Sequence, residues 1–163
     1  YKLMASLIVP RPIALVTTLG ANGVVNAAPF SMFNMVGEDP PLVMISLNRL
    51  KDGRLKDTAA NILHNGEFVV HLADEPIARQ MHDCGHSFPP NISELDAVGL
   101  TAVPSRTVKP PRIAQAPVAP ARLNHSGSSG RVRPHSPHSR TSSPVFVRRG
   151  LSSTPGESAT RCW

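Results

Sequence analysis

"PIALVTTLGANGVVNAAPF", residues 12–30, decides the fold. Residues 12–20 are rich in β-branched and apolar side chains and read as a strand. Asn22-Gly23 tolerates positive φ at both positions, which favours a tight hairpin turn into a second strand over residues 24–28. The chain then enters "VNAAPFSMFN", residues 25–34. Ala27 and Ala28 let a flat ligand come close to the backbone. Pro29 removes an amide donor and stiffens the bend, and Ser31 brings a hydroxyl to the strand's end. Such a bend suits a planar ring, although taken alone Phe30 and Phe33 fit better the usual fate of aromatics, as core residues.

Outward from this hairpin, residues 42–47 form a continuous apolar run behind Pro40 and Pro41, the pattern of a strand buried on both faces. "KDTAANILHNG", residues 56–66, reads as a short helix. Asp57 or Thr58 is its cap, Ile62 and Leu63 face inward, and Asn65-Gly66 is its stop. Residues 67–73 alternate like a strand. Residues 75–85 read as a helix with an early proline and a closing glycine, and residues 92–105 open on a Ser93 cap. The proline-rich run "VKPPRIAQAPVA" reads as extended backbone or loop. These segments predict a mainly β, α+β or barrel-like domain with mostly antiparallel pairing. A dinucleotide fold of the doubly wound type is disfavoured, because no Gly-x-Gly-x-x-Gly turn is present and long crossover helices are few.

A length of 163 residues suits one domain. The sequence begins at Tyr1, so we expect it to start inside a longer reading frame, and its first residues say nothing about targeting. No apolar run approaches the roughly 20 residues that cross a bilayer. Two cysteines, Cys84 and Cys162, are too few for a disulfide scaffold, and a reducing cytoplasm is expected. The net charge of +6 is uneven along the chain. Residues 1–119 carry ten basic and ten acidic side chains, whereas residues 120–163 carry seven arginines and one acid, Glu157.

That second segment also holds ten serines and five prolines and no lysine. It is expected to bury too little surface to offset its ordering entropy. We therefore divide the chain into a folded domain, 1–119, and an Arg/Ser/Pro-rich segment, 120–163. A nucleic-acid-binding arm is one reading of that segment, but lysine and stacking aromatics are scarce. A disordered tail without a specific partner is the second. A frameshift in a GC-rich gene, beginning near residues 117–122, accounts best for the abrupt loss of pattern.

Lys56 and Thr58 stand at a predicted helix start, where free amides and the positive dipole end attract phosphate. The plainer reading, an Asp57 cap beside a solvated lysine, is compatible with it. His82, Cys84 and His86 in "MHDCGHS" do not all share one helix face, and no metal is expected there. Cys84 reads as a small buried hydrophobe. No Ser-His-Asp order or paired carboxylates point to hydrolysis.

"RPIALVTT", "NAAPFSMFN", "DPPLVMISL", "KDTAANI" and "GEFVVHL", in that order, resemble the flavin reductase-like proteins with the FMN-binding split barrel. The likeness covers residues 7–118, including "ELDAVGLTAVPS". It implies a split β-barrel with short helices, left incomplete at its C-terminus. It places the isoalloxazine ring against Asn26, Ala27, Ala28, Pro29, Phe30 and Ser31, and sets Ser46, Leu47 and Asn48 along the ribityl chain. Lys56, Asp57 and Thr58 form the phosphate end with Asn61 behind them, and Thr17 reaches the flavin from the first strand. FMN is the implied cofactor, with FAD as the alternative, and NADH or NADPH is the co-substrate. The implied chemistry is hydride transfer to flavin, so no catalytic acid or base is required. The resemblance also implies a homodimer and, in some members, a partner oxygenase. A flavin-binding protein without turnover is the competing reading. Missing barrel strands would expose sheet edges and leave the domain prone to aggregate.

Overall fold

The computed structural model describes residues 2–38, 42–119, 123–124 and 143–149. In chain order the elements are α1 (Lys2–Leu7), β1 (Ala14–Leu19), β2 (Val25–Phe30), β3 (Phe33–Gly37), β4 (Leu42–Leu47) and α2 (Asp57–Asn65). There follow β5 (Val69–Leu72), a 3-10 turn at Glu75–Ile77, α3 (Ala78–Asp83) and α4 (Glu94–Val98). The last are β6 (Ala102–Val103), β7 (Arg112–Ile113), β8 (Leu123–Asn124) and β9 (Ser143–Arg149).

β1 sits between β2 and β5 in an antiparallel sheet, with Ala14 opposite Phe30 on one side and Leu72 on the other. Strand alternation sends Ala14 and Val16 into one core and Leu15 into another, and all three are fully buried. The first core adds Phe30, Ile45, Ile62 and Phe68, and the second adds Ala27, Cys84, Leu95 and Ile113. The two-face burial expected for residues 42–47 therefore belongs to β1. On β4 only Ile45 and Leu47 are buried, because the second core is built behind β1 and takes nothing from β4.

The β1–β2 hairpin forms with a different turn from the one expected. The Gly23 amide donates to the Gly20 carbonyl at 3.0 Å, which centres the turn on Ala21 and Asn22. Gly23 follows at φ 79°. Asn22 Oδ1 accepts the Val24 amide at 3.1 Å, the side-chain turn that Asn makes with its own backbone two residues on. β3, which the sequence pattern did not announce, folds back antiparallel on β4 with a bulge between Met35 and Gly37.

α2 ends as expected, with Gly66 at φ 71° closing onto the Ile62 carbonyl at 2.8 Å. Its start differs: Lys56 is the flanking residue, and neither Asp57 nor Thr58 caps it. Leu63 is exposed, since Thr58, Ala59 and Ile62 already form the helical stripe that meets the sheet. The predicted helix over residues 75–85 splits into the 3-10 turn and α3. Ser93 does precede α4, but residues 102–103, in the apolar stretch before the proline-rich run, and 112–113, read as extended backbone or loop, pair as β6 and β7.

Within residues 120–163, expected to lack ordered elements, two strands are found. β9 runs antiparallel beside β4, from Leu42 opposite Arg148 to Leu47 opposite Ser143, and β8 pairs with β9. The short run Val145-Phe146-Val147 has strong β preference within an otherwise polar composition. The rest of that segment, like Asp39, Pro40 and Pro41, lies outside the described residues. Among the described residues no helix is long and apolar enough to cross a membrane.

Candidate functional site

The end of β2 carries the bend that the sequence singled out. Ala27 is fully buried in the second core, so its methyl group faces protein. Ala28 is half-buried against the first core, and Phe30 is 7% exposed there. Gly85 lets the end of α3 approach this bend: a Cβ built on it would lie 3.4 Å from Pro29 Cγ. Beyond Phe30, Ser31 is half-buried and Met32 exposed.

Three separate segments meet at this edge. The Ser46 amide donates to the Met32 carbonyl at 2.9 Å, which holds the end of β4 beside the bend. Lys56 Nζ stands 6.0 Å from the centre of the Phe30 ring, within the range of a cation–π contact. The exposed side chains on offer are those of Asn48, Lys56 and Asp57, with Ser46 half-buried; Leu47 is buried and presents only backbone. No side chain caps the start of α2, so its first amides and positive dipole end stay open to an anion next to Lys56.

Behind that edge lies a buried polar network. Asn26 Nδ2 donates to Thr58 Oγ1 at 2.9 Å and to Thr18 Oγ1 at 3.3 Å, and Asn61 Nδ2 donates to the same Thr18 hydroxyl at 3.0 Å. Thr58 is 1% exposed, so its hydroxyl braces α2 against the hairpin instead of facing solvent. Thr17 lies on the opposite face of β1, where its hydroxyl donates to the Pro111 carbonyl at 2.6 Å. The residue that joins the cluster is Thr18, which the sequence reading missed. The signal was available in the hairpin register, which sets Thr18 opposite Asn26.

The titratable groups nearby are set by burial. Glu94, at the start of α4, accepts the Ala27 amide on Oε2 at 2.8 Å, an amide on the outer edge of β2. Burial raises its pKa above the usual carboxylate range, against the lowering effect of that hydrogen bond, and the charge of Asp57 pushes it further up. Burial likewise lifts the Cys84 thiol to about 11, with Glu94 and Asp83 adding to the effect, which leaves a thiol of low reactivity. His82 and His86 are exposed, their rings edge to face at 5.7 Å, while the Cys84 side chain packs inward with Leu95; the three do not converge. His71 is fully buried between two backbone groups, donating from Nδ1 to the Leu15 carbonyl and accepting the Ile113 amide on Nε2, both at 3.0 Å. Burial lowers its pKa to about 4. A cavity of about 250 Å³ opens beside the network, walled by Asn26, Asp57, Asn61 and Glu94 and by Pro90 and Ile92.

Residues 4–121 match the model of the flavin reductase like domain. The chain is 51% identical over 118 residues to the uncharacterised protein YwrF of Bacillus subtilis, a match covering 72% of this chain and 57% of that protein. The first curated relatives are each spanned over only 55–61% of their length. Among solved structures, the 2-nitrobenzoate 2-nitroreductase NbaA of Pseudomonas fluorescens superposes with a TM-score of 0.71 at 40% identity, over 90% of this chain and 66% of that one. Component B of nitrilotriacetate monooxygenase from Bacillus cereus gives 0.76 at 34% identity, over 91% and 71%. The two-core arrangement of short sheets and helices around β1 is thus the split barrel of these proteins.

Proposed function

The chain belongs to the flavin reductase-like family, and from that membership we propose that it binds FMN and uses it to accept hydride from NADH or NADPH. The observation that carries this reading is the approach of Lys56 to Phe30 at 6.0 Å, which joins the helix start to the β2 bend although 26 positions separate them in sequence. The donor set fits an FMN molecule: a cation and uncapped helix amides for its phosphate, and a half-buried, apolar-backed bend for its ring.

When bound, the flavin supplies hydride acceptance, so the protein needs only to hold and orient it. Lys56 and the first amides of α2 hold the phosphate. Ser46, whose amide meets the Met32 carbonyl, and Asn48, exposed just beyond β4, line the ribityl chain on this reading. Phe30 and Ala28 make a firm apolar wall backed by the first core, and Pro29 seats that wall against Gly85. Asn26, Thr58 and Asn61 act one layer back by fixing α2 to the hairpin. On this reading the protein works as a homodimer whose second subunit completes each site. The likeness to a monooxygenase component B supports an oxygenase as recipient of the reduced flavin.

The test uses the purified full chain. After incubation with excess FMN and desalting, folded protein is expected to stay yellow and to oxidise NADH or NADPH when flavin is added. Lys56→Ala should weaken FMN binding about tenfold, some 1.4 kcal/mol. Colourless folded protein would end the proposal. Yellow protein that oxidises neither nucleotide would favour flavin binding without turnover.

A further inference from the structure

We propose that the Asn22-Gly23 turn is a covalent modification site, at which the chain deamidates through a succinimide. Asn-Gly occurs twice in the sequence, at 22–23 and at 65–66. In such a pair the glycine backbone nitrogen attacks the asparagine carboxamide carbon. A C–N bond closes a cyclic imide, and Nδ2 leaves as ammonia with the proton that the glycine nitrogen gives up. Water then opens the imide at either carbonyl, giving aspartate or, with the backbone rerouted through the former side chain, isoaspartate. The sequence of steps needs only water, and nothing is oxidised or reduced. Glycine permits the attack because no side chain shields its nitrogen.

The fold treats the two pairs differently. Asn22 and Gly23 are both exposed at the tip of the β1–β2 hairpin. The Asn22 carboxamide folds over the Gly23 peptide with Oδ1 accepting the Val24 amide at 3.1 Å, a contact that draws electrons from the carbon to be attacked. Its leaving nitrogen is held by the Pro90 carbonyl at 3.4 Å, beyond the usual length of an N–H···O bond. Asn65 makes the same side-chain turn, accepting the Glu67 amide at 3.3 Å, but it is half-buried and is the last residue of α2. There Nδ2 donates to the Leu19 carbonyl and the Gly66 amide to the Ile62 carbonyl, both at 2.8 Å. Both reacting nitrogens are thus anchored at Asn65, and the helix fixes the backbone that must rotate. The hairpin tip is freer: the Gly23 amide donates to the Gly20 carbonyl at 3.0 Å, and rotation there disturbs only the turn.

Conversion changes what the turn holds. Aspartate at position 22 loses the donor to Pro90, which ties the hairpin to the loop before α4, and adds a carboxylate to the wall that Asp57 and Glu94 share. Isoaspartate also lengthens the backbone inside the turn, so Gly23 no longer closes on Gly20 in register. The inference does not depend on flavin being bound.

The experiment holds the full chain in warm, mildly alkaline buffer, folded and in parallel in urea. Peptide mass spectrometry that separates asparagine, aspartate and isoaspartate follows both sites. In the folded protein residue 22 should convert at least tenfold faster than residue 65, with isoaspartate among the products, while in urea the two rates converge. Asn22→Gln, whose longer side chain closes the corresponding ring poorly, should stay unmodified at that position and keep the melting temperature that aged wild type loses. The proposal fails if the folded protein keeps its amide at 22 while the unfolded chain loses it, or if folded residue 65 reacts as fast as residue 22. A gap between the sites that persists in urea would show that the fold does not decide it and would equally overturn the proposal. So would aspartate as sole product, the mark of direct hydrolysis, or an Asn22→Gln protein that ages as the wild type does.

Discussion

At the scale of single residues, the buried polar groups matter more than the exposed ones, because each is bound into a network that a substitution leaves half-satisfied. Asn26→Ala removes the donor shared by Thr18 and Thr58 and should cost about 1–3 kcal/mol, measured as a fall in urea midpoint with unchanged slope. His71 gives a pH signature. Its folded pKa of about 4 lies below the ordinary 6.5, so the native state binds the neutral ring better than the unfolded chain does. The stabilisation is complete above about pH 6.5 and is lost as pH falls from there toward about 4, amounting to about 3 kcal/mol. Urea titrations over this range should show the loss, and His71→Gln should remove close to one proton from the slope. An unchanged slope in that variant would refute the assignment.

At the scale of elements, close approach and turn geometry set the tolerances. A Cβ on Gly85 would stand 2.9 Å from the His82 carbonyl, so the end of α3 must give, while the 3.4 Å approach to Pro29 is an ordinary contact. Gly85→Ala should therefore cost about 1–3 kcal/mol, seen in thermal melts. Gly66, at φ 71°, meets nothing within 4 Å where its Cβ would be, so Gly66→Ala should cost only about 1 kcal/mol, from backbone strain alone. A larger loss at Gly66 than at Gly85 would contradict this ranking.

At the scale of the whole molecule, β4 is an interior strand only because β9 lies beside it. Ending the chain after residue 121 should bare the β4 edge over six residues, lower the melting temperature and promote aggregation, measurable by light scattering. A truncated protein that melts cooperatively at the same temperature would show that β9 contributes nothing. The family match ends at residue 121, within the stretch where composition changes. The frameshift proposed for that stretch predicts that another reading frame of the gene continues in alternating apolar strands, and the nucleotide sequence across codons 115–125 tests it.

What depends on neighbours along the chain was legible in the residues alone: the β1–β2 hairpin, α2 with its glycine stop, and the small-residue bend with its cationic helix start. Periodicity and turn chemistry act over a few residues, and those motifs carry them undiluted. Long-range packing settled the rest: which strand is buried on both faces, that Thr18 and not Thr17 joins Asn26 and Thr58, and that the strand holding Val145-Phe146-Val147 pairs with β4. Each of these depends on which surface a distant segment covers. The hairpin register and the placing of the second core behind β1 fix that, and no local propensity encodes it.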